Sequence, residues 1–344
     1  MTTRPKTSLS KERLMSFFKA AYIDSQTLQL VGVFVVLVIF FAAIDKKFLS
    51  SQSITSMGFQ LPELGVLSLA MMLTILTGGI NLSVNATSNL DAVLAGFFML
   101  KVVPPDATGV QMVFYIGVAL LIALLVGLIT GIVNGFLIGY IGVNPILATL
   151  ATMTFFTGIS TGLTGGATVT GFPESLAVIG HEKLLGIPIP FIIFVLLTIL
   201  THYLLYRTAF GFKLRMLGSN PVASEFSAIE NKTVLMKTYV LSGILSAVTG
   251  ILIMSRTMSA AIEYGTTTYV LLTILISVLA NVVSGFGNVI NVFISIIILQ
   301  ILSTGFHMIL AGIRGSSFFK DFAWGVLLIL IFIVNYFVYQ RERS

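Results

Sequence analysis

Long apolar stretches recur along this chain from Leu28 to Val338, and they limit its fold more than any other feature. Hydrocarbon offers no water to backbone N–H and C=O groups. A segment that crosses it must satisfy them internally, as a helix or within a closed barrel. The stretches have the length of a spanning helix, about 20 residues. Only 9% of the 344 residues are charged and 56% are hydrophobic, where soluble domains carry about 25% charged residues. The fold class is therefore all-α, a polytopic membrane helical bundle with no sizeable extramembrane domain.

Apolar length and chain breakers predict about ten transmembrane helices, near residues 28–44, 61–78, 80–100, 112–139, 144–164, 188–206, 236–254, 267–284, 288–311 and 322–339. Gly78-Gly79 either separates the second and third spans or splits one broken element. Residues 112–139 are long and glycine-rich, which suits a tilted or curved helix. Gly127, Gly131 and Gly135, four apart, let another helix approach closely. Ten crossings with both termini cytoplasmic put 1–27, 207–237 and the tail 340–344 on one side of the transmembrane domain, 28–339. Those segments hold twelve of the nineteen basic residues, the bias that orients membrane proteins. The same bias accounts for the net charge of +6 without any nucleic acid partner.

Several chemistries are excluded. With no cysteine there is no disulfide, thiolate nucleophile or Cys-ligated metal. His181, His202 and His307 lack metal-ligand spacing, so no metal site is expected. No paired carboxylates or His-Ser arrangement marks a catalytic site. No G-x-x-x-x-G-K-[ST] loop is present, so the chain binds no ATP of its own.

One run breaks the apolar pattern: TGGINLSVNATSNLD, Thr77 to Asp91. Polar groups in hydrocarbon are costly unless they face protein or water, so this run must turn inward. Asn81, Ser83, Asn85 and Thr87 alternate with apolar residues, which suits an extended entry after the glycines. Asn81, Asn85, Ser88 and Asn89 also fit one helical face. Amides and hydroxyls both donate and accept, which suits a polyhydroxylated solute better than a metal or a free charge. Asn81, Ser83, Asn85 and Asn89 are therefore candidate pathway residues, with Asp91 orienting them or touching solute. Asn134 and Thr149 are weaker members of the same inward set. The competing reading is interhelical hydrogen bonding that only holds the bundle together.

The polar segment from Arg207 to Lys237 holds Gly218-Ser219-Asn220-Pro221, which is turn chemistry. Ser219 or Asn220 can cap a short helix with Pro221 in its first turn, running to about Ala228. Such a helix exposes Ala223, Ser224, Ser227 and Ala228 beside Phe226, a surface for docking a cytoplasmic partner.

The ordered motifs resemble a known family over nearly the whole chain: the permease subunits of ribose-, xylose- and arabinose-class ATP-binding-cassette importers. TGGINLSVNA resembles its T-x-G-I-D-L-S-V-G motif. GIVNGFLI, NPILATLATM, LGIPIP and RTAFGFKLRMLGSNPVASEFSAI follow in the family's order. The resemblance implies that the helix at Pro221 is a coupling helix seated in a separate ATPase subunit, which uses ATP and Mg. It also implies a solute-binding protein outside the membrane, a second permease chain, and the bacterial inner membrane as location. Asn81 stands where the family has Asp, Asn85 where it has Gly, and Ala228 where it has a late Gly. The family's glycine-rich loop after the seventh span survives only as Ser284-Gly285 and Gly287. That degeneracy fits one half of a pair whose other half is a different paralogue, though a second copy remains the alternative.

The expected function is thus a non-ATPase permease subunit passing a small polar solute, a monosaccharide such as a pentose. A sugar-like signal such as autoinducer 2 is the near alternative. A proton- or sodium-coupled carrier is the distant one, with only Asp91 and the Gly78-Gly79 break to suggest ion coupling.

Overall fold

The structure, a computed structural model, describes residues 25–104, 107–310 and 326. Apart from residue 326, the tenth expected span lies outside the described residues, as do residues 1–24 and the tail 340–344, and with them the termini expected in the cytoplasm.

The described chain is a helical bundle: α1 Ser25–Ile44, α2 Ser51–Leu76, α3 Val84–Val102, α4 Gly109–Phe136, α5 Pro145–Thr164, α6 Ala177–His181, α7 Ile189–Arg207, α8 Ala209–Ser219, α9 Pro221–Phe226, α10 Asn231–Thr257, α11 Thr266–Leu279 and α12 Val289–Ile309. Among the described residues seven helices are long and apolar enough to cross a membrane, against the ten expected. α3 and α11 fall short for different reasons. The first half of α3 carries the polar run, and α11 has only 14 residues.

Several boundaries differ from expectation; the eighth span, for one, ends at Leu279, not near 284. The second span starts at Ser51, not near 61, because the helix runs on through Pro62. In the structure the first turn is ten residues earlier, where the Ser50 hydroxyl caps Ser53 N–H. The seventh span starts at Asn231, so the expected polar segment 207–237 is mostly helical itself: α8, α9 and the first turns of α10.

α2 and α10 are the most enclosed helices of the bundle. α10 packs along α4 as the glycine spacing predicts. A Cβ at Gly127, Gly131 or Gly135 would strike Gly243 and Ala247, Tyr239 and Val240, or Met236 respectively. α4 then widens into a π-turn, Leu137–Ile141, before Asn144 caps α5. α1 and α7 present aliphatic faces outward, including Val36, Leu196 and Ile199, as lipid contact requires. Two short antiparallel ladders join connections: Val169–Thr170 with Ser259–Ala260, and Lys183–Leu184 with Ile187–Pro188.

Candidate functional site

The polar run divides where α3 begins. Before Val84 it is irregular; from Val84 it is helical, so each sequence reading describes one part. Gly78 adopts φ +86°, a left-handed conformation that glycine takes without strain. Gly79 lies against the Tyr239 hydroxyl and the Pro145 ring, with no room for a side chain.

Hydrogen bonds fasten this break to three helices. Asn81 Nδ2 donates to Ser242 Oγ on α10 at 3.0 Å. Asn81 Oδ1 accepts from the Ser83 amide at 3.1 Å and its hydroxyl at 2.7 Å. Ser83 Oγ accepts from Asn134 Nδ2 on α4 at 2.8 Å, and Asn134 Oδ1 accepts from Thr152 Oγ on α5 at 2.7 Å. Thr149 Oγ, also on α5, accepts from Leu82 N–H at 3.1 Å. A made bond of this kind nets about 1 kcal/mol, whereas a buried group left unpaired costs about 1–3 kcal/mol. The network therefore specifies one geometry for the break more than it adds stability.

Asn85 and Asn89 are buried on α3 and reach elsewhere. Asn85 Nδ2 donates to the Tyr264 carbonyl at 2.9 Å; Asn89 Nδ2 donates to the carbonyls of Ile262 at 2.8 Å and Tyr264 at 3.1 Å. They hold the connection between α10 and α11. Asp91 is fully buried, and neither carboxylate oxygen has a hydrogen-bond partner among the described residues. The expected orienting of the amides by Asp91 is thus absent. The carbonyls of Ile262 and Tyr264 do that work.

Sequence reasoning missed a second cluster. Glu63 on α2 is 2% exposed and forms a salt bridge with Arg256 at the end of α10. Its other carboxylate oxygen accepts from the hydroxyls of Tyr264 and Tyr269, each at 3.1 Å. Arg256 also donates to the Tyr264 hydroxyl at 2.7 Å. Tyr264 therefore links the two clusters, its carbonyl bound by Asn85 and Asn89 and its phenol by Glu63 and Arg256. The signal was present, because an acid inside an apolar span marks function by default.

The α8–α9 region forms a third unit. Gly218 and Ser219 close helix α8 and do not form the expected turn; Asn220 alone separates α8 from α9. Asn220 Oδ1 caps Val222 and Ala223 N–H, each at 3.0 Å. Ser224, expected on the docking surface, is buried instead and donates to Asn231 Oδ1 at 2.7 Å. Phe226, by contrast, is 90% exposed, with Val222 exposed one turn earlier and Ala223 beside it. α9 ends at Phe226, two residues before the expected Ala228, which adopts φ +57°.

This unit is packed onto the break. Gly218 leaves no room for a Cβ against the Leu76 carbonyl and Gly285. Gly285, at φ +79°, donates its N–H to the Leu76 carbonyl at 2.9 Å. Arg215 stacks over the Tyr206 ring at 4.1 Å, and both donate to the Gly287 carbonyl, at 3.3 and 3.1 Å. The surviving glycines of the degenerate loop thus hold α8 against the last residue of α2. Among the described residues no group of His, Asp or Glu is arranged to hold a metal.

A family model described as the permease component of branched-chain amino acid transport systems matches residues 53–334. The chain is 31% identical to the ribose import permease protein RbsC of Bacillus subtilis over 95% of this chain and 98% of that protein. It is 28% identical to the autoinducer 2 import system permease protein LsrD of Yersinia enterocolitica, over 78% of this chain and 79% of that one. The same values hold for LsrD of Yersinia pestis. No solved structure matches the chain significantly.

Proposed function

The chain belongs to this permease family of ATP-binding-cassette importers, and from that premise we propose that it passes a monosaccharide, a pentose such as ribose. It is the non-catalytic transmembrane subunit of an importer for a small polar solute, and ATP is hydrolysed by a separate subunit. It is a multi-pass protein of the inner membrane. Family membership implies an ATPase, a solute-binding protein and a second permease chain as partners.

The observation that carries the pentose reading is the nearly full-length similarity to a ribose import permease. The neutral chemistry of the buried run supports it. Asn81, Ser83, Asn85, Asn89, Asn134 and Thr149 supply donors and acceptors without net charge, as a solute rich in hydroxyls needs. In our reading Asn81, Ser83, Asn134 and Thr149 support the path by fixing the α2–α3 break, Asn85 and Asn89 support it by holding the α10–α11 connection, and Asp91 is a buried carboxylate on α3 beside them. α9 is the coupling helix, with Phe226, Val222 and Ala223 as its contact face and Gly218, Ser219, Asn220, Pro221 and Ser224 as its frame. The second permease is a different paralogue that keeps the stricter glycine-rich loop.

The test is uptake of radiolabelled ribose, xylose and arabinose by the complete complex in proteoliposomes. ATP-dependent uptake of one pentose, with none of leucine, is expected. Uptake of autoinducer 2 alone would replace the pentose reading with a second one, favoured by the similarity to the LsrD proteins.

A further inference from the structure

The Glu63 cluster borders a cavity of about 90 Å³ whose polar lining is Gln60, Glu63, Arg256, Tyr269, Gln300 and Ser303. Its walls come from α2, α10, α11 and α12, and none belongs to the polar run after Gly79. Glu63 is 2% exposed and Arg256 26%, and the pair cancels in charge. What remains around the cavity is a neutral set of amides and hydroxyls, with a charge pair that can both donate and accept.

A polar lane leads to this cavity. Gln52, Ser56, Gln60 and Glu63 follow at intervals of four, four and three along the N-terminal half of α2, so they share one face. Gln52, Ser56 and Gln60 are exposed, and Gln60 Nε2 donates to Ser56 Oγ at 3.1 Å. Across the cavity Gln300 donates to Thr304 on α12 at 3.3 Å. Elsewhere the spanning helices expose large apolar side chains such as Val36, Leu196 and Ile199. Amides aimed at hydrocarbon would each leave donors unsatisfied, so this face meets water or solute and not lipid.

We propose that this cavity is a binding site for a neutral polyhydroxylated solute, with Gln60, Glu63, Arg256, Gln300 and Ser303 as its ligands. It is the station a solute meets after travelling the Gln52–Ser56–Gln60 face. This rests on the reading of the chain as half of a sugar path. The cavity holds several waters, or one hydroxyl-bearing edge of a monosaccharide with the rest projecting. Such partial enclosure makes the site weak, as release toward the next station requires. Tyr264 connects it to Asn85 and Asn89, so the site and the polar run share one anchor.

The chain contains no cysteine, so single cysteines report cleanly. Leu64→Cys and Leu272→Cys, which line the cavity without being ligands, and, as a lipid-facing control, Val36→Cys are placed in the complete complex. Each is treated with a charged, membrane-impermeant methanethiosulfonate, alone, with D-ribose, or with sodium gluconate at the same concentration. The first two are expected to react and Val36→Cys to resist. Ribose should slow both reactions at least about threefold, the factor expected at two-thirds occupancy, and gluconate should not. Resistance of both cysteines would overturn the proposal by showing the face covered or closed. Reaction unslowed by ribose, or slowed equally by gluconate, would overturn it as a neutral polyol site. Ribose uptake by the unaltered complex is measured in parallel. Protection without uptake removes the sugar-import reading and keeps the site; uptake without protection removes the site alone.

Discussion

Removing Arg256 should expose how much the Glu63 cluster depends on one cation. Glu63 is 2% exposed and its carboxylate has three donors: Arg256, Tyr264 and Tyr269. Arg256→Met keeps the stem and deletes the charge, which leaves a buried carboxylate with two phenols. Breaking a buried pair in this way costs about 3–5 kcal/mol. Arg256 is about a quarter exposed and both tyrosines stay, so the lower end, about 3 kcal/mol, applies here. Glu63→Leu strands the guanidinium, which water reaches, and takes the acceptor from both phenols, at about 2–3 kcal/mol. The double variant leaves no stranded charge, only two unpaired phenols, at about 2 kcal/mol. The singles then sum to about 5–6 kcal/mol and the coupling energy is about 3–4 kcal/mol. Equilibrium unfolding of the purified chain in mixed detergent micelles, followed by circular dichroism, measures all four corners. Additivity within about 0.5 kcal/mol would refute the pair as a coupled unit.

Two further perturbations separate coupling from path. Phe226→Asp alters the exposed contact face of α9, while Gly285→Ala adds a Cβ at φ +79° that crowds Ser219 and costs about 1–2 kcal/mol. Both should insert normally. Phe226→Asp should abolish uptake and prevent copurification of the ATPase, whereas Gly285→Ala should retain the ATPase but lower solute transported per ATP. Asn134→Leu removes one partner each from the buried Ser83 and Thr152 hydroxyls, which keep their bonds to Asn81 and the Thr149 carbonyl, so about 1–2 kcal/mol of stability and most uptake should be lost, read by thermal unfolding and proteoliposome transport. Wild-type uptake by Asn134→Leu would leave that network without a role in the path.

The sequence was most legible where one physical rule acts alone. Apolar length located nine helical segments among the described residues, and glycine spacing on α4 anticipated its close approach to α10. Asn220 as cap and Phe226 as exposed peg followed from local chemistry, which needs only neighbouring residues. Errors arose where two rules compete. Apolar length starts the second span near 61, but the Ser50 cap starts the helix at Ser51, ahead of the apolar run. Ser224 looked like docking surface until Asn231, seven residues on, turned it inward. Pairings such as Glu63 with Arg256, 193 positions apart, leave no local trace at all. Nor could spacing alone decide whether the buried amides face a path or one another. Asn81, Ser83 and Asn134 are bonded to each other in this arrangement, so a passing solute must compete with those bonds or pass beside them. A path that opens and closes needs polar groups that are satisfied in both states, and a network whose members can exchange a neighbour's hydroxyl for a solute's meets that need without leaving any donor bare.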